Sequence, residues 1–66
     1  MENYSEAIEI CEEAISKFPE DTSLLHLKGN TLIKLGKKEE ACIQYELAIE
    51  LGDENAQKSI DKYCKK

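Results

Sequence analysis

Apolar residues in the first third of the chain fall at Tyr4, Ala7, Ile8, Cys11, Ala14, Ile15 and Phe18. These intervals of three and four draw one stripe along a helix. Asn3 followed by Glu6 has capping-box spacing and opens the pattern. Pro19 ends it, because proline donates no backbone hydrogen bond and pushes the residue before it out of the helical region. A first helix is therefore predicted over 3–17. Asp21, Thr22 and Ser23 then offer three candidate N-caps ahead of Leu24, Leu25, Leu27, Leu32, Ile33 and Leu35. That set covers a wide arc, as in a helix touched on more than one side. The second helix, predicted over 22–35, closes at Gly36, which supplies a left-handed residue and leaves room for only a short turn. A connection this short makes the second and third helices an antiparallel hairpin.

The third helix, predicted over 38–51, carries Ala41, Tyr45, Ala48 and Ile49 on its main face with Cys42 and Leu47 flanking, and Gly52 closes it. Ala41 and Ala48 are small enough to let another helix backbone come close. The last segment, predicted helical over 54–64, has Ala56, Ile60, Tyr63 and Cys64 on one side and charge elsewhere, the pattern of a lid. Asp53 and Glu54 at its start and Lys62, Lys65 and Lys66 at its end complement the helix dipole, with Glu54–Lys58 and Asp61–Lys65 as expected pairs. Four helices and no strand are expected, with Tyr45, Ala41, Ala48, Leu32 and Ile49 in the core.

The chain also repeats itself. Ala7, Ala14 and Ile15 lie 34 residues before Ala41, Ala48 and Ile49, Glu6 stands at the same offset from Glu40, and Cys11 from Tyr45. With Gly29 and Gly36 in place, the set Gly29, Gly36, Ala41, Tyr45, Ala48 resembles the tetratricopeptide repeat. Nearly the whole chain takes part: 3–21 resembles the second helix of a partial repeat, 22–55 a complete repeat, and 54–66 the capping helix of such an array, making 1–66 a single domain. Leu25 stands where the family often has Trp, Lys28 where it has Leu, Leu32 where it has Tyr, and Asp53 where a proline would recur. Lys28 can lay its aliphatic stem along the core and keep its amine in water. The resemblance implies an all-α fold of antiparallel helix hairpins stacked as a short right-handed α-solenoid. It also implies a non-catalytic protein-protein interaction module that takes a peptide or partner helix on a concave face. Carried over residue by residue, the partner-binding stripe is Ser23, His26, Leu27, Asn30, Ile33 and Lys34; helical spacing places these on one side of the second helix. Relatives that grip a C-terminal carboxylate need Lys at the position of His26, so that specialised clamp is not expected.

Charge narrows the partners. Fourteen Asp and Glu against nine Lys give a net charge of -5, which repels a phosphate backbone and disfavours nucleic acid. No apolar run is longer than that of Ala41-Cys42-Ile43, far short of a membrane span, and no basic segment with an apolar core opens the chain, so the expectation is a cytoplasmic protein. Cys11, Cys42 and Cys64 have no C-x-x-C spacing and a single histidine to join them, and read as reduced thiols packed on helix faces. No cofactor or metal is expected. Gly29-x6-Gly36-Lys37 has the wrong spacing for a phosphate loop.

Two readings compete with the interaction module. An enzyme would need one of the three thiols beside His26, and the helical count puts Cys42 on the inter-helix face with His26 across the hairpin. A structural fragment that self-associates through its N-terminal helix is the other, since the pattern begins in the second half of a repeat and leaves an apolar face without its usual neighbour.

Overall fold

In the computed structural model, which describes residues 3–64, the helices begin where side chains satisfy free backbone N–H groups. Asn3 Oδ1 accepts from the Glu6 N–H at 3.0 Å and opens α1, Tyr4–Lys17. Asp21 Oδ1 accepts from the Ser23 N–H at 3.0 Å and opens α2, Thr22–Lys34. α3 runs over Lys38–Glu50 and α4 over Ala56–Tyr63, so the described residues form four helices without a strand. Lys65, Lys66 and the expected Asp61–Lys65 pair lie outside the described residues.

α2 and α3 end in the same way. Gly36 (φ +79°) receives the chain after α2, its N–H bonding Ile33 O at 3.0 Å while the Lys37 N–H reaches Leu32 O at 2.8 Å. Gly52 (φ +102°) repeats the arrangement, with Ile49 O at 2.9 Å and Ala48 O accepting from the Asp53 N–H at 2.9 Å. This paired closure needs a left-handed residue, which glycine adopts without a Cβ clash. The start of α4 differs from expectation. Asp53 Oδ1 accepts from the Asn55 N–H at 3.0 Å, so residues 53–55 form a turn and the helix starts at Ala56 instead of 54. Asp53 makes a local side-chain bond that competes with helix.

Each helix packs on the next: α1 on α2, α2 on α3, α3 on α4. The core is Leu25, Leu32, Ala41, Tyr45, Ala48 and Ala56. Tyr45 is fully buried and joins three elements: its hydroxyl donates to Asn30 Oδ1 on α2 at 2.6 Å, its ring stacks on Tyr63 of α4 with centroids 6.3 Å apart, and His26 meets it edge-on at 5.6 Å. Ile49, expected in the core, is half-buried beside it. It sits on the α4 side of α3, where an eight-residue helix covers it only in part.

The cysteine reading is corrected. Cys42 and Cys64 form a disulfide, Cα–Cα 6.0 Å, and only Cys11 is a free thiol, buried on α1. A separation of 22 residues says nothing about proximity until α4 folds back along α3 and brings its last residue opposite Cys42. No helix among the described residues is long and apolar enough to cross a membrane.

Candidate functional site

The six residues of the expected binding stripe divide by helical angle. Leu25, Gly29 and Leu32 turn one side of α2 into the core. Ser23, Leu27, Asn30 and Lys34 fall on the opposite side and are exposed, Leu27 at 53%. His26 and Ile33 lie about a quarter turn from the core side, toward α4, and are half-buried. The structure thus assembles a four-residue outward face with one apolar side chain at its centre, and sends the other two inward.

Asn30 is anchored, since its Oδ1 accepts the Tyr45 hydroxyl; the exposed amide group is left to donate outward. Lys34 projects an ammonium in the last turn of α2. His26 Nε2 is buried without a hydrogen bond, 3.4 Å from Asp53 Oδ2, a distance at which the two pair when the imidazole is protonated. Sequence reasoning missed this partner because Asp53 belongs to the turn beyond α3 and comes near only through tertiary packing. His26 meets Asp53 of the turn after α3, whereas Cys42 is bonded to Cys64 just after α4, so the imidazole and this sulfur have different partners.

Cysteine chemistry finds little purchase here. Cys42 and Cys64 are bonded to each other, and burial pushes the Cys11 thiol up from its ordinary value, with the Lys28 ammonium opposing and Glu12 reinforcing. Nucleophilic work needs the thiolate. Among the described residues no group of three or more His, Cys, Asp or Glu is placed to hold a metal ion.

On the other side of α2, Lys28 reaches Glu12 of α1 at 3.2 Å, its own side chain largely covered. The stem is covered as expected, but the amine ends on a carboxylate where water was expected. A cleft of about 280 Å³ opens beside it, lined among others by Glu12, Lys28, Leu32, Lys37 and Glu40. Its walls carry both signs of charge and offer no consistent chemistry to one ligand.

Residues 22–55 match a family described as tetratricopeptide repeat. No curated protein and no solved structure matches the chain.

Proposed function

Because the chain belongs to the tetratricopeptide repeat family, a class of protein-interaction modules that is typically non-catalytic, we propose that it binds a peptide or a partner helix on the outer face of α2 and is not an enzyme. In this reading 3–21 acts as the second helix of a partial repeat and 54–66 as a cap. Ser23, Leu27, Asn30 and Lys34 form the contact surface, and His26 and Ile33 support it from behind. The observation that carries the proposal is Leu27, 53% exposed on a face whose other members, Ser23, Asn30 and Lys34, are polar and exposed. A buried leucine contributes about 2 kcal/mol to whatever covers it. Asn30 can meet a peptide carbonyl with its amide, and Lys34 a carboxylate. Peptides selected from a displayed library on the intact chain should lose at least tenfold affinity for a Leu27→Asp/Lys34→Glu variant. Selected binders that ignore those changes would refute this face as the site.

A cytoplasmic setting belongs to the same proposal. Its direct test is the Cys42–Cys64 disulfide, because glutathione keeps such thiols reduced in the cytoplasm. Rapid thiol trapping in intact cells decides it: a persistent bridge, as the structure has it, places the protein in an oxidising compartment, and only two reduced cysteines would support the cytoplasmic setting.

The second reading is self-association through α1. Ile10 and Phe18 are each 61% exposed there, and Ala7 and Ala14 are half-buried whereas their counterparts Ala41 and Ala48 are fully buried beneath α2. A symmetric pair would cover both copies at once. Glu9, Glu12 and Glu13 oppose it, so salt should strengthen it by screening. Sedimentation at high protein concentration should show a dimer favoured by salt, and a monomer in both conditions rules it out.

A further inference from the structure

α3 is apolar on two sides, and the fold uses only one. Ala41, Tyr45 and Ala48 are fully buried on the inner side. Ile43, Leu47 and Leu51 follow each other at four-residue spacing on the outer side, 53%, 41% and 45% exposed. Single exposed leucines are ordinary on a protein surface; two in register along α3 and a third at its C-cap form a ridge. The helical count places Glu39, Glu46 and Glu50 along one flank of this ridge and Glu40 among its apolar members. None of these four carboxylates takes part in an ion pair among the described residues.

We propose that the outer face of α3 is a docking surface for an amphipathic helix of another protein whose apolar stripe is bordered by Lys or Arg. The shape follows from the ridge, since side chains at i, i+4 and i+8 fit the grooves of a second helix. The charge follows from the flank, because a row of unpaired glutamates attracts a basic partner and speeds its arrival. A second copy of this chain fits poorly: pairing α3 with α3 opposes the same glutamates, and α1 brings Glu6, Glu9, Glu12 and Glu13. This surface lies on a different helix from the α2 face, so the two proposals stand or fall separately.

The test uses the disulfide-intact chain and two synthetic 18-residue helical peptides, each with leucines at intervals of three and four. One has Lys at every other position and the other has Glu. Backbone amide shifts are followed during titration. The Lys peptide should perturb residues around Ile43, Leu47 and Leu51, and the Glu peptide should leave them unmoved. An Ile43→Ser/Leu47→Ser variant keeps every charge and removes only exposed side chains; it should melt as the parent does and bind at least tenfold more weakly. Glu46→Gln/Glu50→Gln should weaken binding and flatten its salt dependence. Unchanged affinity in the serine variant would reduce the attraction to net charge and overturn the proposal. So would shifts centred on Ser23, Leu27 and Lys34, or a peptide-free dimer that Leu47→Ser abolishes.

Discussion

A Cβ placed on Gly29 would stand 2.6 Å from Cε1 of Tyr45. The ring has nowhere to retreat, because Ala41 and Ala48 lie against the core with it, Tyr63 stacks on one side, and its hydroxyl is held by Asn30. Overpacking of this kind costs about 1–3 kcal/mol, while alanine in place of a helical glycine returns up to about 1 kcal/mol. With the full offset, Gly29→Ala is therefore expected to destabilise by up to about 2 kcal/mol net. Urea unfolding of the single variant should show it, and an unchanged midpoint would mean the helices slide apart freely.

Tyr45 itself should be the most sensitive position. Truncation of a buried aromatic costs about 3–5 kcal/mol, which a domain of 66 residues cannot spare. Tyr45→Ala should abolish the cooperative transition. Tyr45→Phe keeps the ring and leaves Asn30 without its donor, at about 0.5–1.5 kcal/mol. A folded Tyr45→Ala with an unshifted melt would contradict the packing.

The sequence made the hairpin legible because its signals are local. Asn3, Asp21, Gly36 and Gly52 each act through backbone groups within a few residues, and the 34-residue echo between Ala7 and Ala41 exposes the repeat. Two kinds of feature escaped. Asp53 reads as the first turn of a helix, yet its side chain bonds the Asn55 N–H locally and also faces His26. Cys42 and Cys64 lie far apart in the chain, and only the return path of α4 brings them together. The binding stripe was legible as a helical face, but not its division: the inward turn of His26 depends on where Tyr45 and Asp53 lie, and that of Ile33 on the core it packs against.

Alkaline pH should unfold the domain. Burial pushes the Tyr45 phenol up from its ordinary value of 10.0, with Tyr63 adding and a hydrogen bond to Ser59 opposing; burial likewise raises the Cys11 thiol from 9.0. Both groups have folded values above their unfolded ones, so the stability they contribute is complete below about pH 9. It is lost as pH rises through the unfolded and then the folded values, because the unfolded chain releases the protons first. Urea midpoints should stay level up to about pH 9 and fall above it. Cys11→Ala should move the onset of the decline upward toward pH 10. A midpoint that rises between pH 9 and 11 would contradict the burial of both groups.

The disulfide should decide how firmly α4 is held. Apart from the bridge, this eight-residue helix is attached through Ala56, Ile60 and Tyr63 against the core, and helices so short do not persist in water on their own. In the chain-entropy treatment, closing a loop of about 22 residues removes roughly 3 kcal/mol of freedom from the unfolded state. Reduction with a dithiol transfers two electrons to the bridge and leaves two thiols, and Cys64→Ser has the same effect permanently. Either should lower the unfolding free energy by about 3 kcal/mol. Amide exchange should accelerate first in α4, because α2 and α3 keep their mutual contacts when the tie is cut. As α4 loosens, Tyr63 leaves the ring of Tyr45 and the core loses its third layer, so near-ultraviolet tyrosine dichroism should fall along with protection. If the reduced chain keeps both its midpoint and the α4 protection pattern, the apolar contacts alone hold the cap and the bridge is incidental.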